Sequence, residues 1–144
     1  MEYIRKFYEG DLDKVMKIWL EGNLSAHAFI GAEHIKNYFG YVSRLIPKAE
    51  VYVYEMNGEV VGFVGLSDQS IQGFFVEEQY QGLGIGTRLL NFIKSNYEYF
   101  DLMVFEKNVK AIEFYEKSKL IFEQSLVNED FGEIEHKYCY RLEV

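Results

Sequence analysis

The order of apolar and polar residues predicts a mixed α/β chain. Residues 1–8 read as a short strand, with Tyr3, Ile4 and Phe7 available for burial. Asp11 stands where a helix N-cap is expected. Leu12, Val15, Met16, Trp19 and Leu20 follow at helical spacing, and Gly22 is placed to stop the helix. Residues 23–30 read as a loop. A second helix is expected over residues 32–45, where Ile35, Tyr38, Phe39, Val42 and Leu45 share one side and Pro47 closes the run.

Period-2 alternation then takes over. Residues 50–56 and 59–66 read as strands joined by Asn57-Gly58, a strong hairpin signal. Residues 67–70 make a second turn and residues 71–76 a third strand. Gly62, Gly65 and Gly73 interrupt these strands, which predicts bulges or a close backbone approach. Ile85, Leu89, Phe92 and Ile93 form a helical stripe ending near Asn96. Residues 100–105 read as a buried strand, and Asn108 as the N-cap of a helix over residues 109–117. Residues 120–127 and 135–144 read as two closing strands around a turn at residues 128–133. Three antiparallel strands thus precede a βαβ crossover.

At 144 residues, with 49% hydrophobic residues and no repeat, linker or low-complexity segment, the chain is expected to form one domain over residues 1–144. Twelve Tyr and twelve Phe give a heavy aromatic load, which suits an aromatic core and leaves rings to line a pocket. The net charge of −8 disfavours nucleic acid and suits a cationic partner such as an amine. Cys139, the single cysteine, excludes an intrachain disulfide and reads as a buried thiol in a strand. Three histidines without metal-ligand spacing give no metal site. The chain lacks an apolar leader or a membrane-spanning run, so a cytoplasmic location with no membrane partner is expected.

The segment of densest chemistry is Phe74-Phe75-Val76-Glu77-Glu78-Gln79-Tyr80-Gln81-Gly82-Leu83-Gly84-Ile85-Gly86-Thr87. A strand, a glycine loop and a helix start place unpaired N–H groups at the positive end of a helix dipole, a site for phosphate or another anion. A nucleoside triphosphate loop would end in Gly-Lys-Ser/Thr, and no lysine stands there. A dinucleotide loop would carry a third glycine where Thr87 stands, and would follow βαβ units, not hairpins.

Gln81-x-x-Gly84-x-Gly86 resembles the pyrophosphate loop of the GNAT superfamily of acetyl-CoA-dependent N-acetyltransferases, Gln/Arg-x-x-Gly-x-Gly/Ala. Asn108-Val109-Lys110-Ala111-Ile112-Glu113-Phe114-Tyr115 resembles the family's Asn-x-x-Ala-x-x-Phe-Tyr segment one crossover later. The order of elements over the whole chain is similar to the family's. One departure is Lys119, where the family usually has a helix-ending glycine, which suggests a different cap geometry here.

The resemblance implies a GNAT-like, mostly antiparallel sheet flanked by helices. It implies transfer of an acetyl group from acetyl-CoA to a primary amine of a small molecule or peptide, by direct attack in a ternary complex. The same fold could also serve as a non-catalytic acyl-CoA-binding or regulatory module. By resemblance, the backbone of Phe74, Phe75 and Val76 would run beside the pantetheine arm. The segment Gln81, Gly82, Leu83, Gly84, Ile85, Gly86 and Thr87 would hold the pyrophosphate, and Asn108 would bond the arm or cap its helix. Tyr115 matches the general acid that protonates the departing thiolate. No metal is implied, and homodimers occur among relatives. The proton acceptor is not legible: Glu50, Asp68, Glu77 and Glu78 read as surface charges, while His27 and His136 could reach the acceptor side, His27 being carried as the substrate-site candidate.

Overall fold

The computed structural model describes residues 1–143. Strand β1 (Glu2–Lys6) leads to helices α1 (Leu12–Ala26) and α2 (Ala32–Leu45). A meander follows: β2 (Glu50–Met56), β3 (Glu59–Ser67) and β4 (Ser70–Val76). Helix α3 (Ile85–Asn96), β5 (Tyr99–Phe105), α4 (Val109–Lys117), β6 (Ile121–Asn128) and β7 (Glu133–Arg141) complete the order. The expected last strand is β7, which starts two residues earlier; Val144 lies outside the described residues.

The strands form one seven-stranded sheet in the order β1-β2-β3-β4-β5-β7-β6. Every pairing is antiparallel except β4 with β5, which are parallel because α3 crosses between them. Helices cover both faces. Val15, Met16, Ile18 and Trp19 pack with Val53 and Phe63 on one face. Leu89, Leu90 and Ile93 pack with Val64, Phe100, Leu102 and Tyr138 on the other. Burial from both sides explains why β3 is apolar from Val60 to Leu66 apart from its glycines.

Of the three strand glycines, Gly62 and Gly73 each stand beside a bulge, and Gly65 pairs with Gly73. Val61 is the extra residue between the Tyr54–Gly62 and Glu55–Val60 pairs, and Gln72 is the extra one between Gly65–Gly73 and Leu66–Ile71. Each bulge reverses the inside–outside alternation. After Gln72, Phe74 turns toward α4, 5.9 Å between ring centroids from Phe114, while Phe75 turns toward α1, 6.5 Å from the His27 ring. At the Asn57-Gly58 hairpin both residues have positive φ (51° and 84°), the geometry that dipeptide favours.

Three local expectations are corrected. Gly22 does not end α1, which runs on to Ala26; a Cβ at Gly22 would lie 2.3 Å from Cδ1 of Phe75. That glycine is required by close packing of β4 and not by a turn. Asp11 makes no side-chain cap on α1. It is buried and accepts two bonds from Arg5, at 2.8 and 2.9 Å, and one from the Tyr8 N–H at 3.0 Å. Burial alone would raise the Asp11 pKa, but those donors hold it below the ordinary carboxylate value. Lys119 takes φ +70° with Leu120 N–H on Tyr115 C=O and Lys119 N–H on Glu116 C=O, both 3.1 Å. The cap geometry is therefore the one a glycine would make, held by a lysine.

Candidate active site

The site begins where β4 and β5 part. Their ladder consists of Ser70 with Asp101 and Ile71 with Leu102. Beyond the Gln72 bulge, β4 continues to pair with β3 as far as Val76–Gly62, and β5 continues to pair with β7 as far as Phe105–Glu135. Each strand is thus held on its far side while the two diverge. The divergence opens a chamber of about 330 Å³ lined by Gly73, Phe74, Val104, Asn108, Tyr115 and Glu135, among others. Antiparallel strands spend alternate backbone groups on one neighbour, so the β4 edge over Phe74–Val76 offers the others to whatever fills the gap.

The glycine loop stands at the end of this edge. Gly82 and Gly84 have φ of +80° and +86°, a region L side chains avoid. Gly84 occupies the N-cap of α3 without a side chain to satisfy the helix start, so the N–H groups of Ile85, Gly86 and Thr87 are available to an anion. Ile85 contributes only backbone there, because its side chain is buried in the core. Leu83 points to solvent. The Gln81 amide donates to the Val76 C=O at 3.0 Å and accepts from Lys110 Nζ at 3.4 Å, bracing the loop against both β4 and α4. The loop residues other than Leu83, with Lys110 and Phe114, line a groove of about 360 Å³ that meets the chamber at Phe74, Asn108 and Tyr115. Lys110 was invisible to motif reading because it stands at a variable position; α4 brings its charge to the groove.

Tyr115 sits two turns into α4, 9% exposed, with its ring centroid 6.4 Å from that of Phe74. Burial pushes its pKa above the ordinary phenol value, so the hydroxyl carries its proton at neutral pH. Asn108 caps α4, its side-chain oxygen accepting from the Ala111 N–H at 3.3 Å. Its amide nitrogen lies 3.3 Å from Nε2 of His27, whose Nδ1 lies 2.7 Å from Oδ1 of Asn23. Asn23 in turn donates to the Trp19 C=O at 3.0 Å. The directions of these bonds leave one consistent assignment: His27 is neutral, with the proton on Nδ1. Burial moves its pKa down to about 4.

On the α1–α2 side, a cavity of about 590 Å³ opens from the chamber, sharing Trp19, His27, Gln72 and Phe105 with it. Tyr38, Tyr41, Phe63 and Phe131 contribute its aromatic walls, and Asp130 its carboxylate. The β6–β7 turn closes it, laying Phe131 over α2 with ring centroids 6.0 Å from both His34 and Tyr38. His136 is not part of either space: it bonds Ser125 at 2.7 Å and Glu106 at 3.3 Å on the other side of β7. Glu77 is paired with Lys14 at 2.8 Å, and Glu50 accepts from the Tyr97 hydroxyl. Neither of these carboxylates, nor Asp68 in the β3–β4 turn, lines the chamber or the cavity.

An anion-binding helix start, a lysine and an unpaired strand edge in sequence suit a ligand with a phosphate head and an extended amide-bearing arm. Among the described residues no group of His, Cys, Asp and Glu is placed to hold a metal ion. Among the same residues no helix is long and apolar enough to cross a membrane.

Comparison with known proteins gives the same direction. The family model of the acetyltransferase (GNAT) domain matches residues 47–118. Peptidyl-lysine N-acetyltransferase YiaC of Escherichia coli (strain K12) is 28% identical over 115 residues, covering 78% of this chain and 79% of that protein. The solution structure of apo YjaB from Escherichia coli superposes with a TM-score of 0.87 at 22% identity, covering 99% of each chain. The structure of yncA from Salmonella typhimurium with its cofactor acetyl-CoA gives 0.74 at 18% identity, covering 100% of this chain and 95% of that one.

Proposed function

Because the chain belongs to the GNAT acetyltransferase family and is an acetyl-CoA-dependent acyltransferase, we propose that residues 1–144 act as one catalytic domain acetylating a primary amine by direct attack. The observation that carries this reading is the parting of β4 from β5 after Ile71–Leu102, with the Gly84 helix start at one end and Tyr115 beside it. In this reading the N–H groups at the start of α3, with Lys110 and the loop braced by Gln81, hold the pyrophosphate. The free edge of Phe74–Val76 aligns the pantetheine arm as an added strand, and a backbone N–H near Val76 polarises the thioester carbonyl. The amine adds to the carbonyl carbon, the C–S bond breaks, and Tyr115 gives its proton to the departing thiolate. Asn108 borders the arm while capping α4.

The acceptor in this reading enters through the α1–α2 cavity. Its walls suit an amine on an apolar stem, which fits a lysine side chain, as in the peptidyl-lysine N-acetyltransferase relatives, or a small amine. His27 borders the path as a hydrogen-bonding partner of Asn108. Its remaining role is to shape the acceptor side.

Two measurements test this. Calorimetric titration should show acetyl-CoA binding, and release of free CoA should depend on an amine from a panel of lysine peptides, small amines and aminoglycosides. Absence of acetyl-CoA binding would refute the assignment. Binding without CoA release on any amine would return the chain to an acyl-CoA-binding module.

A further inference from the structure

Direct attack needs an uncharged amine, and a lysine-type ammonium with a pKa near 10.4 is protonated at neutral pH. A group on the acceptor side must therefore take a proton. The side chains lining the chamber include three that titrate: His27, Tyr115 and Glu135. His27 is excluded by its bonding, because Nε2 already accepts from Asn108 and Nδ1 donates to Asn23. Tyr115 is protonated and stands on the α4 side. Glu135 remains.

Its position suits the task. Glu135 pairs with Phe105 across the β5–β7 ladder, so both side chains project to the same face. Phe105 packs against His27 at 5.2 Å and Phe29 at 5.4 Å between centroids, which identifies that face as the α1–α2 side. Glu135 is half-buried, and Asn128 donates to its Oε1 at 3.1 Å. The same Asn128 holds the β6–β7 turn through its Oδ1, which accepts from the Asp130 and Phe131 N–H groups at 3.0 and 3.2 Å. One residue thus orients the carboxylate and the turn that closes the acceptor cavity. The charged groups around Glu135 are otherwise engaged. On β7, Glu133 pairs with Lys107 at 3.2 Å, and Lys137 with Glu123 at 3.4 Å and Asp101 at 3.8 Å. His136 and Glu106 pair at 3.3 Å on the opposite side.

We propose that Glu135 accepts the proton shed by the acceptor ammonium, directly or through one water, so that protons leave on the α1–α2 side and arrive on the α4 side. This deepens, and rests on, the acetyl-transfer reading above. The balance closes. The ammonium proton goes to a Glu135 oxygen, the amine lone pair forms the C–N bond, and the C–S bond breaks. The thiolate takes the Tyr115 proton, the second proton that the nitrogen sheds on becoming the amide restores Tyr115, and Glu135 releases its own to solvent.

The test compares wild type with Glu135→Gln on a single-lysine peptide, and on the same peptide with thialysine, whose amine is less basic. We expect kcat/KM of the variant to fall about 100-fold at pH 7, within the range for a lost general base. The deficit should shrink as pH approaches the amine pKa and be smaller for thialysine, because more amine is then already uncharged. CoA affinity and Tm should hold. A ratio of wild type to variant that stays constant with pH and amine, or lies within about threefold, would overturn the assignment while acetyl transfer stands. Should Glu135→Gln misfold, Glu135→Ala with added formate replaces it; recovery of rate with formate supports the role, and a folded variant indifferent to formate opposes it. A wild-type protein that binds acetyl-CoA but releases no CoA with any amine would instead overturn the reading beneath.

Discussion

His27 and Asn108, 81 residues apart, meet at 3.3 Å and tie the end of α1 to the start of α4 across the mouth of the site. The chain of bonds from the Trp19 carbonyl through Asn23, His27 and Asn108 to the Ala111 N–H runs in one direction. Protonating His27 would set its Nε2–H against the Asn108 N–H₂ and break the chain, in addition to charging a half-buried ring.

Stability should consequently depend on this one imidazole. Its pKa is about 4 in the folded protein against 6.5 for an ordinary histidine. Between those values the unfolded chain binds a proton that the folded protein does not, so stability falls as pH drops from 6.5 to 4 and is level above 6.5. The full difference corresponds to roughly 3–4 kcal/mol as an upper bound. Urea midpoints at pH 7.5, 5.5 and 4.5 would show the fall, and His27→Gln, which never charges, should flatten most of it. Equal slopes in the two proteins would remove His27 as the cause.

Tyr115→Phe should lower kcat about 100-fold and leave the CoA dissociation constant within about twofold, since the ring still packs on Phe74 and only the proton donor is lost. Substrates whose thiol leaves more readily should suffer less. A variant with wild-type kcat would mean that the thiolate leaves unaided.

Gly84→Val tests the loop separately. Space is not the obstacle, because a Cβ there lies 3.9 Å from the nearest Arg88 side-chain atoms. The obstacle is φ +86°, which costs a β-branched residue on the order of 1–2 kcal/mol and invites the loop to reorganise. CoA affinity should drop at least tenfold in calorimetry while the circular dichroism spectrum is kept. Unchanged affinity would detach the helix start from pyrophosphate binding.

What could be read in the sequence was local. Asn57-Gly58 specifies its hairpin through two positive φ values, the helical stripes specify α1 to α4, and Gly84 marks the helix start. What could not be read depends on register between distant strands. Gly73 signals a bulge, but not that Gln72 is the extra residue, and that position decides which way Phe74 and Phe75 face. Nothing in the sequence singles out Glu135, and only its alignment with Phe105 turns it into the chamber. Gly22 was misread for the same reason: its partner, Phe75, arrives from another strand.

Gly22→Ala makes that point measurable. The added methyl would sit 2.3 to 2.9 Å from three atoms of the Phe75 ring, so the ring must move. Overpacking of this kind costs about 1–3 kcal/mol, against a helix-propensity gain of about 1 kcal/mol for Ala over Gly. We expect a lower urea midpoint and a raised KM for acetyl-CoA, because Phe75 belongs to the β4 edge beside the chamber. A variant more stable than wild type would show that the ring yields without strain.

Lys119 offers the opposite change. It ends α4 at φ +70° and lets the Leu120 N–H reach the Tyr115 C=O, so the strained residue lies just past the helix that carries the catalytic candidate. Glycine adopts this conformation without the Cβ clash, although it also loses more freedom on folding. Lys119→Gly should therefore stabilise the protein by about 0.5–1 kcal/mol, a rise of about 1–4 °C in Tm for a chain of this size. Lys119→Ala separates backbone from charge: alanine meets the same clash, so it should leave Tm near the wild-type value. If Ala and Gly raised Tm equally, the gain would come from removing the lysine charge and not from the left-handed cap. If neither raised it, the Cβ strain at φ +70° would be too small to matter in this helix end.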